Sequence, residues 1–267
     1  MRFSIAFSVL EDLRLGFKAS FMPAILAILK SPLLLFRPSA LKRLMFFEVW
    51  KRYGGCADQG GTEVKKGLIT PYAGGVVLDL GAGLGHTARY LDLSKVTKYI
   101  ALEPNTLMHE GIRKEAAPYG FTESSGTLQL LSCGAEDTET IVSEIGGQVD
   151  TLISILMLCS VPNPKKTIET LMDKVLKPGG QFLFYEHVAN RSWEVRVWQY
   201  LWTPIWAMFF DGCALNRPTD VYIRNLTCWK AVPEVMAEGD RVGTWGKEGE
   251  DLDSLFFHQV GRFIKKD

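Results

Sequence analysis

Apolar positions change rhythm along this chain. From about residue 75, short and almost wholly apolar runs alternate with longer mixed stretches. VVLDL (76–80), KYIAL (98–102), LQLLS (128–132), DTLISILML (150–158) and QFLFYEH (181–187) read as strands. Strands that are apolar on both faces belong to a sheet covered on both sides, hence mostly parallel. The stretches between them read as helices over Thr87–Leu93, Asn105–Ala116 and Pro164–Lys177. Pro118 stops the second, and Pro178-Gly179-Gly180 breaks the chain after the third. Strand alternating with helix predicts βαβ units and a doubly wound α/β sheet.

Both ends of the chain depart from this rhythm. Residues 19–36 form the most lipid-like stretch, interrupted by Lys30, Pro23 and Pro32. Its uncharged run is shorter than the ~20 residues a spanning helix needs. Glu11, Asp12 and Arg14 precede the apolar core, which fits a secretory signal poorly. Lys18, Lys30, Arg37, Lys42 and Arg43 flank it. Residues 1–60 are therefore expected to be an apolar helical segment, either lying in a membrane interface or capping a pocket. In residues 192–210, Trp198, Trp202 and Trp206 share one helical face, and Pro204 should kink or divide the helix. Residues 192–215 read as a Trp-rich helical cap. Residues 216–230 read as a helix capped by Asn216 or Thr219. Residues 236–252 read as an exposed polar loop, and residues 255–264 as a last strand with a bulge at Gly261.

Composition narrows the function. With 267 residues, 30 basic and 30 acidic groups, the chain is one large domain with an appendage and has no net charge. No global basic field steers nucleic acid, so a nucleic-acid partner is not expected. Five scattered cysteines with no C-x-x-C pair predict neither a disulfide framework nor a zinc knuckle, and no metal site is expected. They imply a reducing setting, either the cytoplasm or the cytosolic face of an intracellular membrane.

The chemistry-bearing stretch is Asp79-Leu80-Gly81-Ala82-Gly83-Leu84-Gly85 at the end of the first strand. Its glycines admit a ligand to the backbone, and the helix start that follows offers free N–H groups. A dinucleotide fingerprint would need its third glycine at position 86, which is His86. Asp79 would also set an anion beside a pyrophosphate, so a cationic ligand fits better. No G-K-[ST] follows, which excludes a P-loop here.

This motif resembles the glycine loop of class I S-adenosylmethionine-dependent methyltransferases. Three further stretches support that resemblance in order and spacing: Ala101-Leu102-Glu103-Pro104-Asn105, Gly134-Ala135-Glu136-Asp137 and Leu176-Lys177-Pro178-Gly179-Gly180. Leu158-Cys159-Ser160-Val161, Glu186-His187-Val188 and Phe210-Asp211-Gly212-Cys213 resemble a narrower group, the membrane-associated proteins related to thiol methyltransferases. The resemblance implies a seven-stranded Rossmann-like sheet over 61–267 and S-adenosylmethionine as cofactor. It implies a cofactor site at Asp79, Gly81, Ala82, Gly83, Gly85, Glu103, Pro104, Asn105, Ala135, Glu136 and Ile155. In the family the first acid orders the loop and the methionine amino group, the second grips the ribose hydroxyls, and the third lies near the adenine amino group.

The acceptor is expected to be a small hydrophobic thiol, hydroxyl or activated carbon, methylated in line. The alternative is a cofactor-binding cyclase or pericyclase of secondary metabolism that transfers nothing. His187, at the carboxyl end of strand five, is the first candidate base or acceptor-orienting group, and Asp211 is the second. Cys159 and Cys213 read as buried small residues, His86 as a cofactor-loop contact, and His109 and His258 as structural. The oligomeric state and the acceptor atom are not legible.

Overall fold

The computed structural model describes residues 6–231 and 240–267. Two long helices come first, α1 (Val9–Lys30) and α2 (Pro38–Gly60), joined by a 3₁₀ turn at Pro32–Phe36. The sheet domain follows: α3 (Thr62–Ile69), β1 (Gly75–Leu80), β2 (Val96–Leu102), α4 (His109–Ala116), β3 (Leu128–Leu131), α5 (Thr138–Ile145), β4 (Val149–Ile155), α6 (Pro164–Thr170) and β5 (Leu176–His187). Next come α7 (Trp193–Phe209), α8 (Thr219–Arg224), β6 (Gly243–Gly246) and β7 (His258–Ile264).

The seven strands lie in the order β3-β2-β1-β4-β5-β7-β6. β1 to β5 are parallel, while β7 runs antiparallel to both β5 and β6. The order reverses between β1, which pairs with β2, and β4, which pairs with β1 from the other side. That switch point is where an open α/β sheet leaves a crevice beyond its strand ends. Alternation along each strand feeds two apolar layers. Leu78, Leu80, Ile100, Leu102, Phe182 and Phe184 pack on one face, and Val77, Tyr99, Ala101, Ile153, Leu183 and Tyr185 on the other. Each fully buried Leu, Ile or Phe contributes roughly 1.5–3 kcal/mol.

A third cluster joins the ends of the chain to the sheet. Val9, Val195, Trp206, Leu215 and Leu255 pack with Cys159 and Cys213. Trp202 Nε1 donates to the Ala6 carbonyl at 2.6 Å, and Phe7 packs edge-on against both Trp198 and Trp202. The tryptophan stripe therefore holds the N-terminal segment against α7.

Several expected elements differ. The stretch after the glycine loop is a 3₁₀ turn at His86–Tyr90, because the chain turns extended at Leu91. Pro178-Gly179-Gly180 does not end a helix; it forms an irregularity within β5, with Gly179 at φ 72°, and the helix before it closes in a π turn at Leu171–Val175. Pro204 does not divide α7, and its missing N–H falls opposite the carbonyl of Tyr200, whose side chain is exposed. Of the 216–230 stretch only Thr219–Arg224 is helical. The expected loop at 236–252 lies partly outside the described residues. Its remainder contains β6, because Gly243–Gly246 pairs with β7 and covers that strand's outer edge.

Candidate functional site

Gly81, Gly83 and Gly85 take φ of 65°, 57° and 89°, a region that residues with a Cβ disfavour. Each is also crowded. A Cβ on Gly81 would strike the Met157 side chain, one on Gly83 would lie 2.8 Å from Trp50 Nε1, and one on Gly85 would lie 2.8 Å from Ile112 Cα. Ala82, between them, donates its N–H to the Leu102 carbonyl at 3.0 Å, which ties the loop to the end of β2.

Two buried carboxylates flank this loop. Asp79 accepts from the Tyr99 hydroxyl at 2.9 Å, and Thr87 also bonds to it. Burial pushes its pKa up to about 6, against these two bonds and the more distant Lys65 ammonium. Glu103 accepts from the backbone N–H of Asn105 at 2.8 Å and of Gly83 at 2.9 Å. Burial pushes its pKa up to about 7; the two amides oppose this, and the charges of Asp211 and Asp79 add to it. A ligand that brings a cation or hydroxyl donors to these oxygens would favour their ionised forms. The sulfonium, amino group and ribose hydroxyls of S-adenosylmethionine are such groups, so the residues present fit that cofactor.

The N-terminal helices take part in this site. Trp50 of α2 covers Gly83, and Asn105 Nδ2 donates to the Arg43 carbonyl at 2.9 Å. Asn105 also accepts from Leu107 N–H, opening the short turn before α4. Near the end of α2, buried Asp58 pairs with Lys65, with Arg89 at 2.9 Å and with Tyr90 Oη at 3.1 Å, so three elements meet behind the loop. Among the expected residues, Pro104 is half-buried beside Glu103, and Ile155 ends β4 opposite Tyr185 in the layer that holds Ala82. Ala135 is buried in the other layer. Glu136 is exposed, and its side chain folds back beside Gly134.

The residues expected on the acceptor side lie at or near the carboxyl ends of β4 and β5 and at the end of α7. Glu186 is fully buried, and its carboxylate is taken up by the turn after β4. It accepts from Ser154 Oγ at 2.7 Å, Met157 N–H at 3.0 Å and Leu158 N–H at 3.2 Å, and so shapes the turn after β4. Burial raises its pKa against these donors. His187 points the other way, with Nε2 3.1 Å from Cys213 Sγ. Cys213 Sγ in turn lies 3.3 Å from Cys159 Sγ. Asp211, half-buried, sits at φ 47° in the turn that closes α7 and does not cap the next helix, which starts at Thr219. Burial raises its pKa, while Arg43 and Lys42 of α2 lower it.

The remaining histidines have local roles. His109 Nε2 bonds the Glu103 carbonyl at 2.8 Å, and His258 pairs with Glu250. His86 Nδ1 lies 3.3 Å from Arg89 and 3.5 Å from Glu115, beside the glycine loop. Sequence reasoning missed Trp50 and the role of Glu186. No local pattern reveals either, since one belongs to a helix 33 residues before Gly83 and the other looks like any buried strand acid.

Comparison with known proteins follows the same line. The model of the methyltransferase-domain family matches residues 62–221, more than half of the chain. Human thiol S-methyltransferase TMT1A is 39% identical over 160 residues, which is 58% of this chain and 57% of that protein. Human thiol S-methyltransferase TMT1B is 30% identical over 156 residues, 58% of this chain and 60% of that protein. The match thus spans little more than half the length of these relatives. An O-methyltransferase family protein from Burkholderia thailandensis shares the fold at TM-score 0.57 and 15% identity, over 85% of this chain and 60% of that one. The N-methyltransferase NodS from Bradyrhizobium japonicum WM9, solved with S-adenosyl-L-homocysteine, does so at TM-score 0.51 and 10% identity, over 78% and 87%.

The chain belongs to the methyltransferase-domain family, in its class I, S-adenosylmethionine-dependent form. Its cofactor is S-adenosylmethionine.

Proposed function

We propose that this protein transfers the methyl group of S-adenosylmethionine to the sulfur of a small hydrophobic thiol. The cofactor supplies a methyl on a sulfonium leaving group, so the protein's work is alignment, exclusion of water and removal of one proton. The carrying observation is the pair of buried carboxylates, Asp79 and Glu103, set around a glycine loop that only small residues can form. The thiol is favoured by the 39% identity with a thiol S-methyltransferase. A hydrophobic acceptor is favoured by the apolar cluster of α1 and α7 beside the ends of β4 and β5. A thiol near its ordinary pKa of about 8.5 needs only modest help to ionise.

The test is mass spectrometry of thiol, phenol and polyketide-like acceptors incubated with methyl-labelled cofactor. A labelled thioether supports the reading. A labelled phenol ether and no thioether moves the activity to oxygen. An unlabelled but cyclised product points to the non-transferring alternative, which no structural feature favours.

The same reading includes a membrane surface. Among the described residues no helix is long and apolar enough to cross a membrane. Yet Leu29 is 72% exposed and Phe36 83%, with Leu33 and Leu35 between them, and Tyr200 and Met208 of α7 are exposed as well. Such a face, rimmed by Lys30, Arg37, Lys42 and Arg43, suits a helix pair lying in the headgroup region on a cytosolic membrane face. Sedimentation with anionic vesicles should be lost in a Leu29→Asp, Phe36→Asp variant. Equal sedimentation of that variant would sink this part of the reading.

A further inference from the structure

We propose that Cys159, His187 and Cys213 form a zinc(II) site with one open coordination position. They come from three separate places: the turn after β4, the end of β5 and the turn that closes α7. Their ligand atoms all lie within 4.8 Å of one another, and all three residues are buried. Cys213 Sγ sits 3.1 Å from His187 Nε2 and 3.3 Å from Cys159 Sγ. The imidazole bonds Cys159 as well as Cys213, while Nδ1 is buried without a hydrogen-bond partner among the described residues and Phe256 packs edge-on against the ring.

Two thiolates and an imidazole are a soft donor set that suits zinc and does not suit magnesium or calcium. Zinc–sulfur bonds of about 2.3 Å and zinc–nitrogen bonds of about 2.0–2.1 Å require ligand-to-ligand spacings of roughly 3.5–3.8 Å in a tetrahedron. The observed spacings are a few tenths of an ångström shorter, which rotation about the cysteine side chains accommodates. A disulfide would instead bring the sulfurs to about 2.05 Å and leave the imidazole with no role. Weak S–H donors alone compensate poorly for burying three polar groups in an apolar cluster. Among the described residues these three converge, and three protein ligands, as opposed to four, are the pattern of zinc sites that take a substrate.

The open position deepens the thiol reading and rests on it. The acceptor thiol binds zinc as thiolate and releases its proton to solvent. A sulfur electron pair forms the new carbon–sulfur bond as the sulfonium carbon–sulfur bond breaks, with no oxidant or reductant involved. The neutral thioether is a poor zinc ligand and leaves.

The full chain, purified without chelators from zinc-supplemented medium, should carry about one zinc by elemental mass spectrometry. The Cys159→Ser, Cys213→Ser double variant should fall to roughly one tenth of that, while Cys133→Ser keeps it. Should the double variant fail to fold, cobalt(II) exchanged into the unaltered protein should show a thiolate-to-metal charge-transfer band, which needs no variant. A wild-type chain free of zinc after dialysis against micromolar zinc, a double variant that retains it, or a Cys159–Cys213 disulfide in the intact mass overturns the site. Thiol methylation by zinc-free protein removes the open position's role and leaves the thiol reading standing. Bound zinc with no thiol methylated leaves the metal site standing and removes both the thiol reading and the open position's role.

Discussion

At the cofactor end, the site is made of backbone. Gly81, Gly83 and Gly85 supply the shape, and two carboxylates at the ends of the neighbouring strands β1 and β2 supply the charge. At the Cys159, His187 and Cys213 cluster, side chains are brought together from far apart, since Cys159 and Cys213 are separated by 54 positions. The first end has hard oxygen groups whose charge burial suppresses, and the second has soft sulfur and nitrogen groups in an apolar cluster. One end is specified by what the chain cannot contain, namely any Cβ at three positions. The other is specified by what two turns and a strand end must deliver together.

Substitution in the glycine loop should have the largest effect. Gly85→Ala forces a Cβ against the Ile112 backbone at positive φ, and should cost roughly 2–4 kcal/mol of stability. Gly55→Ala, with nothing within 4 Å in α2, is the matched control and should be neutral or slightly stabilising in thermal denaturation. Equal losses in both would break the contrast between a shape-limited loop and a tolerant helix.

The two carboxylates at the ends of β2 and β5 should separate cleanly. Glu103→Ala should weaken cofactor binding by roughly 10- to 100-fold in calorimetry, because hydrogen bonds to the ligand are lost. Glu186→Gln should leave affinity nearly unchanged but lower unfolding stability by about 1–3 kcal/mol, since an amide nitrogen would face the Leu158 N–H.

pH sharpens the same distinction. The folded pKa values of Asp79 and Glu103, about 6 and about 7, lie above their ordinary values of 3.8 and 4.5. The folded, ligand-free chain therefore binds more protons than the unfolded one between about pH 4 and 7, and these groups make it less stable as pH rises through that window. Cofactor binding favours the ionised forms, so affinity should rise over the same window, with proton release seen as a buffer-dependent binding enthalpy. A flat affinity profile from pH 5 to 8 would count against both carboxylates as ligand contacts. The smallest effect is expected from Trp202→Phe, which removes the bond to the Ala6 carbonyl and should cost about 1 kcal/mol. Tryptic cleavage near the N-terminus should then be faster.

The cofactor end was legible in the sequence because its constraints are local. A strand, an acid and spaced glycines occur within seven residues, and Glu103 ends the next strand. The parallel sheet was legible for a similar reason, since each buried strand is a continuous apolar run. Failures came where tertiary pairing overrode local pattern. Gly243–Gly246 has no apolar alternation worth reading, yet it pairs along β7. Pro178-Gly179-Gly180 looked like an interruption and is accommodated as an irregularity in β5. The cysteines read as scattered because spacing along the chain says nothing about two turns converging with the end of β5.

Trp50 brings an N-terminal helix into the cofactor end. Its indole nitrogen lies 2.8 Å from where a Cβ on Gly83 would be, and its backbone belongs to the helix that also meets Asn105 through Arg43. Anything that settles on Gly83 must share that space with the Trp50 ring. The same helix follows directly from the exposed Leu33–Phe36 turn. The placing of α2, and of the turn before it, therefore bears on access to the Gly83 backbone as well as on packing.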